Sequence, residues 1–402
     1  MSPLPLAGLR VLDLSRVLAG PYCTMQLADL GAEVIKVERP GTGDETRLWG
    51  PPFVGGESAY FLCCNRNKRS LTLDLATRAG RELLARLLDW ADVLVENFLP
   101  GTLDRWGFST AELRARYPRL ITCHISGFGQ TGPRRDEAGY DLLIQAGSGL
   151  MSITGEPDGL PTKVGVAITD VVAGLFASQS ILAALVGRSL SGIGTDLDIA
   201  LFDCALACLV NVGQGHLVTG ENPPRVGSAH AQIVPYQLFA ARDGHVVLGI
   251  GTDAQFARFC DWAGLPQLAA DPRLRTNAGR VAHRDAVVTP MATRLRELSV
   301  AEVLAGLTPL RVPVAAVQSV TEALRDPQVV ARQMGTRLDH ASAGVIELVA
   351  HPVLLDGERP SVRRPPPRLG EHSREILATL LALPEADIDR LATDWRDNPE
   401  RG

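Results

Sequence analysis

Apolar and polar positions alternate along this chain between two spacings. Residues 9–14, L-R-V-L-D-L, read as a short strand, a Gly20–Pro21 turn opens a helix through Leu30, and E-V-I-K-V-E at 33–38 reads as a second strand. The unit repeats. A helical spacing at 78–91 leads into D-V-L-V-E-N-F, and another at 110–117 leads into L-I-T-C-H-I-S. A long apolar helix starting near Asp170 leads to the strand D-L-D-I-A-L at 196–201, with a further helix from about 202. Strands alternating with helices in this way predict an α/β fold, with a large doubly wound, Rossmann-like domain over residues 1–222.

The segment P-P-R-V-G at 223–227 interrupts the pattern. Beyond it, I-V-P-Y-Q-L-F-A, a D-G turn at 243–244 and H-V-V-L-G-I-G predict a β-hairpin. Helical stretches at 253–263, 281–298 and 300–307, a strand V-P-V-A-A-V and a helix near 320–333 complete a smaller α+β domain over 223–333. Strands at 336–350, the proline-rich R-R-P-P-P-R-L-G and a helix from about 372 make up a C-terminal segment, 334–402.

Composition narrows the classes. A chain of 402 residues that is 46% apolar can build two or three cores. A net charge of −5 without long basic blocks argues against a nucleic-acid surface. The seven cysteines are odd in number and lack C-x-x-C, and the eight histidines lack H-x-x-x-H. That usage predicts reduced thiols, a cytoplasmic setting and no metal site. The N-terminus, M-S-P-L-P-L-A-G, has no signal-peptide pattern. The uncharged run Val171–Gly187 is 17 residues, short for a membrane span, and reads as a core helix.

The candidate chemistry gathers between Gly139 and Gly187. Here a glycine-rich stretch, beginning G-Y-D-L-L-I-Q-A-G-S-G, feeds the apolar run that carries Asp170 near its start. A carboxylate in a first helical turn is favoured in its ionised form by the helix dipole. The same residue also fits a plain capping role shared with Thr169. The opening β-α-β unit invites a dinucleotide reading with Glu38 as the ribose-binding acid, but S-R-V-L-A-G-P lacks the G-x-G-x-x-G that close approach to a pyrophosphate requires.

The pairing of G-Y-D-L-L-I-Q with A-I-T-D-V-V-A-G about thirty positions later resembles the class III CoA-transferase family, which also contains the acyl-CoA racemases. L-S-R-V-L-A-G-P at 14–21, G-A-E-V-I-K-V-E-R-P-G at 31–41, N-R-N-K-R-S at 65–70, V-E-N-F-L-P-G at 95–101, I-S-G-F-G-Q-T-G-P at 125–133 and A-H-A-Q-I-V-P-Y-Q at 229–237 match in the same order. The resemblance runs from about Leu6 to about Gly370 and is strongest to the succinyl-CoA:glutarate, or dicarboxylate, branch. It implies that Asp170 is a catalytic nucleophile, that CoA and its thioesters are substrates with no permanently bound cofactor, and that two chains interlock as a homodimer whose C-terminal segments return to the large domains. It also implies a CoA path along Val17, Ala19, Arg39, Lys68, Asn97, Phe98 and Arg105.

Within that resemblance several residues carry two readings. Tyr140 stands where the racemases carry a histidine, which weakens racemisation of a 2-methylacyl-CoA as the alternative, because two groups of suitable pKa are needed. Tyr140 also fits a packed ring, and Asp141 either orders the site or ends a turn. Gln145, Gly147, Gly149 and the glycines of L-G-I-G-T at 248–252 are candidates for oxyanion donors. Lys68 and Arg69 also fit a solvated loop face. Leu18 replaces the glutamine of formyl-CoA:oxalate enzymes. Arg66 is the candidate clamp for the distal carboxylate of a diacid, with a structural salt bridge as its alternative. A non-catalytic nucleotide-binding protein is the remaining alternative, and retention of Asp170 speaks against it.

Overall fold

The computed structural model describes residues 4–396, with only the backbone beyond Leu391. It divides into two compact units, one of residues 1–150, 164–217 and 328–402, the other of residues 151–163 and 218–327. In chain order the first unit contains β1 (Arg10–Asp13), α1 (Ala19–Asp29), β2 (Glu33–Glu38), β3 (Lys68–Thr72), α2 (Arg78–Trp90), β4 (Val93–Glu96), β5 (Ile121–Ser126), α3 (Asp141–Gly147), α4 (Ile168–Ser191), β6 (Asp196–Ala200) and α5 (Leu201–Ala207), besides shorter pieces.

The six strands form one parallel sheet in the order β3-β2-β1-β4-β5-β6. Chain order reverses between β1 and β4, and the carboxyl edge at such a switch point is where doubly wound proteins bind ligands. Alternation along the strands fills both faces. Val11, Val34, Val93, Val95, Ile121, Cys123 and Ile125 are buried together with Cys23 and Leu27 of α1 and Ala173, Ala177 and Ile181 of α4. The alternate positions Leu12, Leu14, Ile35, Val37 and Leu94 meet Leu83, Leu84, Leu87 and Leu88 of α2. Each such side chain contributes ~1.5–3 kcal/mol when fully buried. α2 starts where the Thr77 hydroxyl accepts the N–H of Gly80 at 3.0 Å.

α4 is 24 residues long and ends at Gly192, whose φ of 75° closes the helix in the left-handed conformation. It is long and apolar enough to cross a membrane by length and composition. Its small residues face the sheet, while Leu175, Phe176, Val186 and Leu190 are exposed.

Residues 65–70, expected to be a loop, instead lead into an edge strand. β3 pairs with β2 from Val34 opposite Lys68 to Glu38 opposite Thr72. The C-terminal stretch runs along it: the N–H of His372 donates to the Ser70 carbonyl and that of Gly370 to the Ser70 hydroxyl, at 3.0 and 2.8 Å. Ile376 and Leu377 are buried in the same cluster as α2.

The second unit is built on an antiparallel sheet of Val314–Ala316, His245–Gly249 and Tyr236–Ala240. Helices Asp253–Ala263, Arg284–Arg296 and Val300–Leu307 cover it. At its centre Arg280 is fully buried, with its guanidinium 4.6 Å from the Phe256 ring and bonded to the carbonyls of Val234 and Leu274. The helix expected near 320–333 is broken at Pro327 into Val320–Leu324 and Pro327–Ala331.

Candidate active site

Asp170 lies in the first turn of α4. One turn later α4 carries Gly174, where a Cβ would come within 2.7 Å of the Ala19 carbonyl and 3.3 Å of the Tyr22 ring. The bare glycine therefore lets α4 close on the start of α1, where the backbone N–H of Ala19 favours the ionised form of the Asp170 carboxylate. Around it Val17, Leu18, Tyr22, Tyr60, Ala167 and Val171 pack in one apolar cluster with Met25 and Cys64.

These surroundings reverse the expectation from the helix dipole. Burial and the neighbouring Asp141 carboxylate push Asp170 up to about 7, against the pull of the Ala19 N–H. The capping alternative is also answered, since Ala167 occupies the cap position and α4 has no side-chain capping bond.

Asp141 opens α3 and braces Asp170 from the preceding residue. One of its oxygens accepts both the N–H and the hydroxyl of Thr169, at 2.9 and 2.7 Å, and the other accepts the Gln145 amide at 2.7 Å. The Gln145 carbonyl oxygen in turn accepts the Val164 N–H at 2.9 Å. Gln145 is fully buried, with both ends of its amide engaged in this brace. Just upstream, Gly139 crosses Gly127 so closely that a Cβ on Gly139 would sit 2.0 Å from the other α-carbon. Two glycines are thus required where the loop after β5 meets the approach to α3. Tyr140 occupies the cap position of α3 with its ring exposed, so the packed-ring alternative does not hold.

The residues of the expected CoA path separate into two groups. Val17 lies on the loop from β1 to α1, Ala19 opens α1, and Asn97 and Phe98 follow β4. The two loops meet where the Asn97 amide exchanges bonds with the Arg16 N–H and carbonyl at 2.8 and 2.7 Å, and where the Arg16 guanidinium lies 5.5 Å from the Phe98 ring. Phe98 also stands edge-on to Trp106, with ring centroids 5.2 Å apart. Arg39 is exposed just past β2, and Arg105 is exposed on the short helix Thr102–Arg105, bonded to the Thr102 hydroxyl.

Lys68 and Arg66 are placed differently from expectation. Lys68 is fully buried on β3, and its ammonium donates to Asp13, the Pro21 carbonyl and Asn65 at 3.0, 2.9 and 2.9 Å. All three of its donors are taken, so it is neither a CoA contact nor a solvated loop residue. Arg69 is also buried, bonded to Glu33 and Glu375. Arg66 is buried and grips Asp29 through its Nε and Nη2 atoms, while Nη1 donates to the Val349 carbonyl at 2.8 Å. The structural salt bridge describes it, and its fork is closed to a substrate carboxylate.

Tyr60 joins the apolar cluster beside Asp170 with no sequence motif to announce it. Burial and the Asp170 charge push its hydroxyl above the ordinary tyrosine range, which places the two groups within electrostatic reach. Its ring stands edge-on to Trp49 at 5.3 Å. The only local signal is the apolar S-A-Y-F-L just before N-R-N-K.

Comparison with known proteins bears on this geometry. The family model described as CoA-transferase family III matches residues 6–373. The chain is 43% identical over 395 residues to a succinate–glutarate CoA-transferase of Agrobacterium fabrum, covering 97% of this chain and 98% of that protein. It is 40% identical over 387 residues to the succinyl-CoA:glutarate CoA-transferase of Homo sapiens, covering 96% and 88%. Among solved structures, a CAIB/BAIF family protein from Brucella suis superposes with a TM-score of 0.83 at 42% identity, covering 94% of this chain and all of that one. A chain with this sheet, this buried acid and these relatives is a member of the class III CoA-transferase family.

Proposed function

We propose that this transferase moves CoA from a short dicarboxyl-CoA, succinyl-CoA foremost, to a free dicarboxylic acid, with Asp170 as the covalent relay. The observation that carries the relay is the Asp170 carboxylate itself, half-buried in the first turn of α4 where Gly174 lets that helix close on Ala19. A carboxylate raised to about 7 is more basic than an ordinary one, and therefore more nucleophilic when ionised.

Asp170 attacks the thioester carbonyl, the C–S bond breaks, and CoA thiolate leaves behind a mixed anhydride. The thiolate attacks the aspartyl carbon, releasing the donor acid and forming an aspartyl-CoA thioester. The acceptor carboxylate then attacks that thioester, expelling CoA thiolate and forming a second mixed anhydride, and the thiolate attacks its acceptor acyl carbon, breaking the C–O bond and freeing the Asp170 carboxylate. Each attack builds negative charge on an oxygen beside Asp170, close to the start of α1, where the Ala19 N–H is the donor we assign to it. The nucleotide end of CoA follows the carboxyl ends of β1, β2 and β4, with Phe98 as an apolar shelf and the exposed Arg39 and Arg105 for phosphates.

The dicarboxylate preference draws on the names of the relatives, since Arg66 is committed to Asp29. The working unit is an interlocked homodimer in the cytoplasm. The exposed apolar residues of α4, with Leu190 86% exposed, form a face of the kind that a second chain covers. Incubation with succinyl-CoA and a panel of free mono- and dicarboxylic acids, with the new thioesters identified by mass spectrometry, tests the substrate assignment. Transfer to monocarboxylates at rates equal to diacids would overturn it.

A further inference from the structure

The loop between β1 and α1 is held at almost every peptide. The Leu14 N–H donates to the Val95 carbonyl at 2.8 Å, and the Ser15 N–H to Asp13 at 2.9 Å. The Ser15 carbonyl accepts from the Lys36 ammonium at 2.7 Å. Asn97 takes both sides of the Arg16 residue, and the Val17 N–H donates to Asp44 at 3.2 Å. Val17 itself has a φ of 68°, a left-handed conformation that a β-branched residue adopts only when its surroundings impose it. Two residues later comes Ala19, packed against Gly174 one turn beyond Asp170, with an N–H that favours the ionised carboxylate.

The holders are charged and buried. Lys36 and Asp44 pair at 2.9 Å with neither side chain exposed, and Lys68 pairs with Asp13 at 3.0 Å, also with neither exposed. Asp44 is itself fixed by the N–H and hydroxyl of Thr46, at 3.0 and 2.8 Å. Burial works against Asp13, but Lys68 and Lys36 outweigh it and hold this carboxyl at about 2. A buried ion pair is a poor source of net stability and a good source of fixed geometry. Here the geometry fixed is that of a single loop.

We propose that Lys36, Asp44 and Asn97 are positioning residues of the transfer reaction, locking the Ser15–Val17 peptides so that the Ala19 N–H stays aimed at the Asp170 carboxylate. This rests on Asp170 being the reacting carboxylate. Asn97 then serves the loop through its amide, as Lys68 does through Asp13. The groups facing Asp170 are Asp141 from α3, Tyr60 from the Ala59–Leu62 helix and the N–H from α1. Of these, only the last depends on the β1–α1 loop. Loosening the loop removes the one contact that favours the ionised form, so the titration of Asp170 moves to higher pH.

Two variants test this. Asn97→Ala frees the Arg16 residue at a half-buried site. The double variant Lys36→Met with Asp44→Asn removes both charges of one pair together, leaving no lone buried charge. Asp170 is followed by carbon-13 carboxyl NMR in aspartate-labelled protein, with the resonance assigned by its loss in Asp170→Asn. In parallel, the acidic limb of kcat/KM is measured. Both the resonance and the limb should move up by about half a pH unit or more, with kcat falling about tenfold. A merely weakened fold would lower the melting temperature and leave both titrations in place, and that result overturns the proposal. If the double variant does not fold, Asn97→Ala decides alone. Should Asp170→Asn keep its activity while the resonance still moves in the loop variants, the loop aims the Ala19 N–H but the nucleophile assignment falls, and the role in transfer falls with it.

Discussion

Asp141 accepts both the backbone N–H and the hydroxyl of Thr169, so the residue before Asp170 is tied to the first turn of another helix. The same carboxylate that anchors α4 also repels the charge on its neighbour. Anchoring and repulsion are therefore separable by a neutral isostere. In Asp141→Asn the amide oxygen still accepts from Thr169, while the negative charge is gone. The acidic limb of kcat/KM should move below about 7, because removing a like charge favours the ionised Asp170. Asp141→Ala loses the anchor as well and should lose activity at every pH. A pH profile of both variants checks this, and an unmoved limb in Asp141→Asn would show that the two carboxylates do not interact.

Arg66 answers a different question. Its pairing with Asp29 is buried on both sides, with side-chain exposures of 4% and 2%. Removing one partner leaves the other charged and unsolvated, at a cost of about 3–5 kcal/mol. Arg66→Ala should accordingly lower the denaturation midpoint, and it should reduce transfer to glutarate and to butyrate in equal proportion. Selective loss of the diacid would reinstate Arg66 as a carboxylate clamp. Urea melts alongside kcat/KM for the two acids separate the outcomes.

How far the sequence reveals this arrangement depends on where each residue's partner lies. The α4 run is legible because its burial is written locally, as seventeen residues without charge. β3 is hidden because K-R-S-L-T begins with two cations whose partners are far away along the chain. Lys68 meets Asp13, 55 positions earlier, and Arg69 meets Glu33, 36 positions earlier. No window of local periodicity contains those pairs, so the charges read as solvated when they are buried. Tyr60 is hidden for the same reason, its charged neighbour being Asp170. The β1–α1 loop shows the limit most clearly. Its missing glycines exclude a dinucleotide motif, but only the folded chain shows Val17 in a left-handed conformation on a loop held by Lys36 of β2, Asp44 beyond it and Asn97 after β4.

His124 is another buried group with distant partners. On β5 it bonds to Glu96 of β4 and Asp196 of β6, at 2.6 and 3.0 Å. Burial opposes its charge, but the bonds to Asp196 and Glu96 raise it to about 10. The folded value lies above the ordinary 6.5, so its stabilisation is complete below about pH 6.5 and disappears as pH rises through 10. His124→Gln should cost about 3–5 kcal/mol at pH 6, and the gap to the wild type should close towards pH 10. Chemical denaturation across that range measures it. A constant gap would mean that His124 is neutral in the fold.

Asp170 carries the last prediction, because stability and activity should move in opposite directions there. Its carboxyl is raised from 3.8 to about 7, chiefly by burial and secondarily by Asp141. Below about pH 4 the acid is protonated in both folded and unfolded chains and costs nothing. Between 4 and 7 the folded chain binds the extra proton, so stability falls as pH rises, and above 7 the cost is constant. At 1.36 kcal/mol per pH unit the ceiling is about 4 kcal/mol, and water entering the pocket brings it nearer 1–3. Asp170→Asn is neutral throughout. It should match the wild type in stability at pH 4 and exceed it by that margin at pH 8, while transfer falls at least ~10³-fold for want of a nucleophile. Hydroxylamine added during turnover should convert Asp170 of the wild type to a hydroxamate and leave the variant unlabelled. Protein checked by mass spectrometry for deamidation is needed, since a trace of regenerated aspartate would mimic residual activity. A variant that gains stability above pH 7 yet keeps a tenth of its activity would leave Asp170 as a strained but dispensable acid. A variant that loses activity without gaining stability would show that the carboxylate is satisfied in the fold, with more donors than the Ala19 N–H.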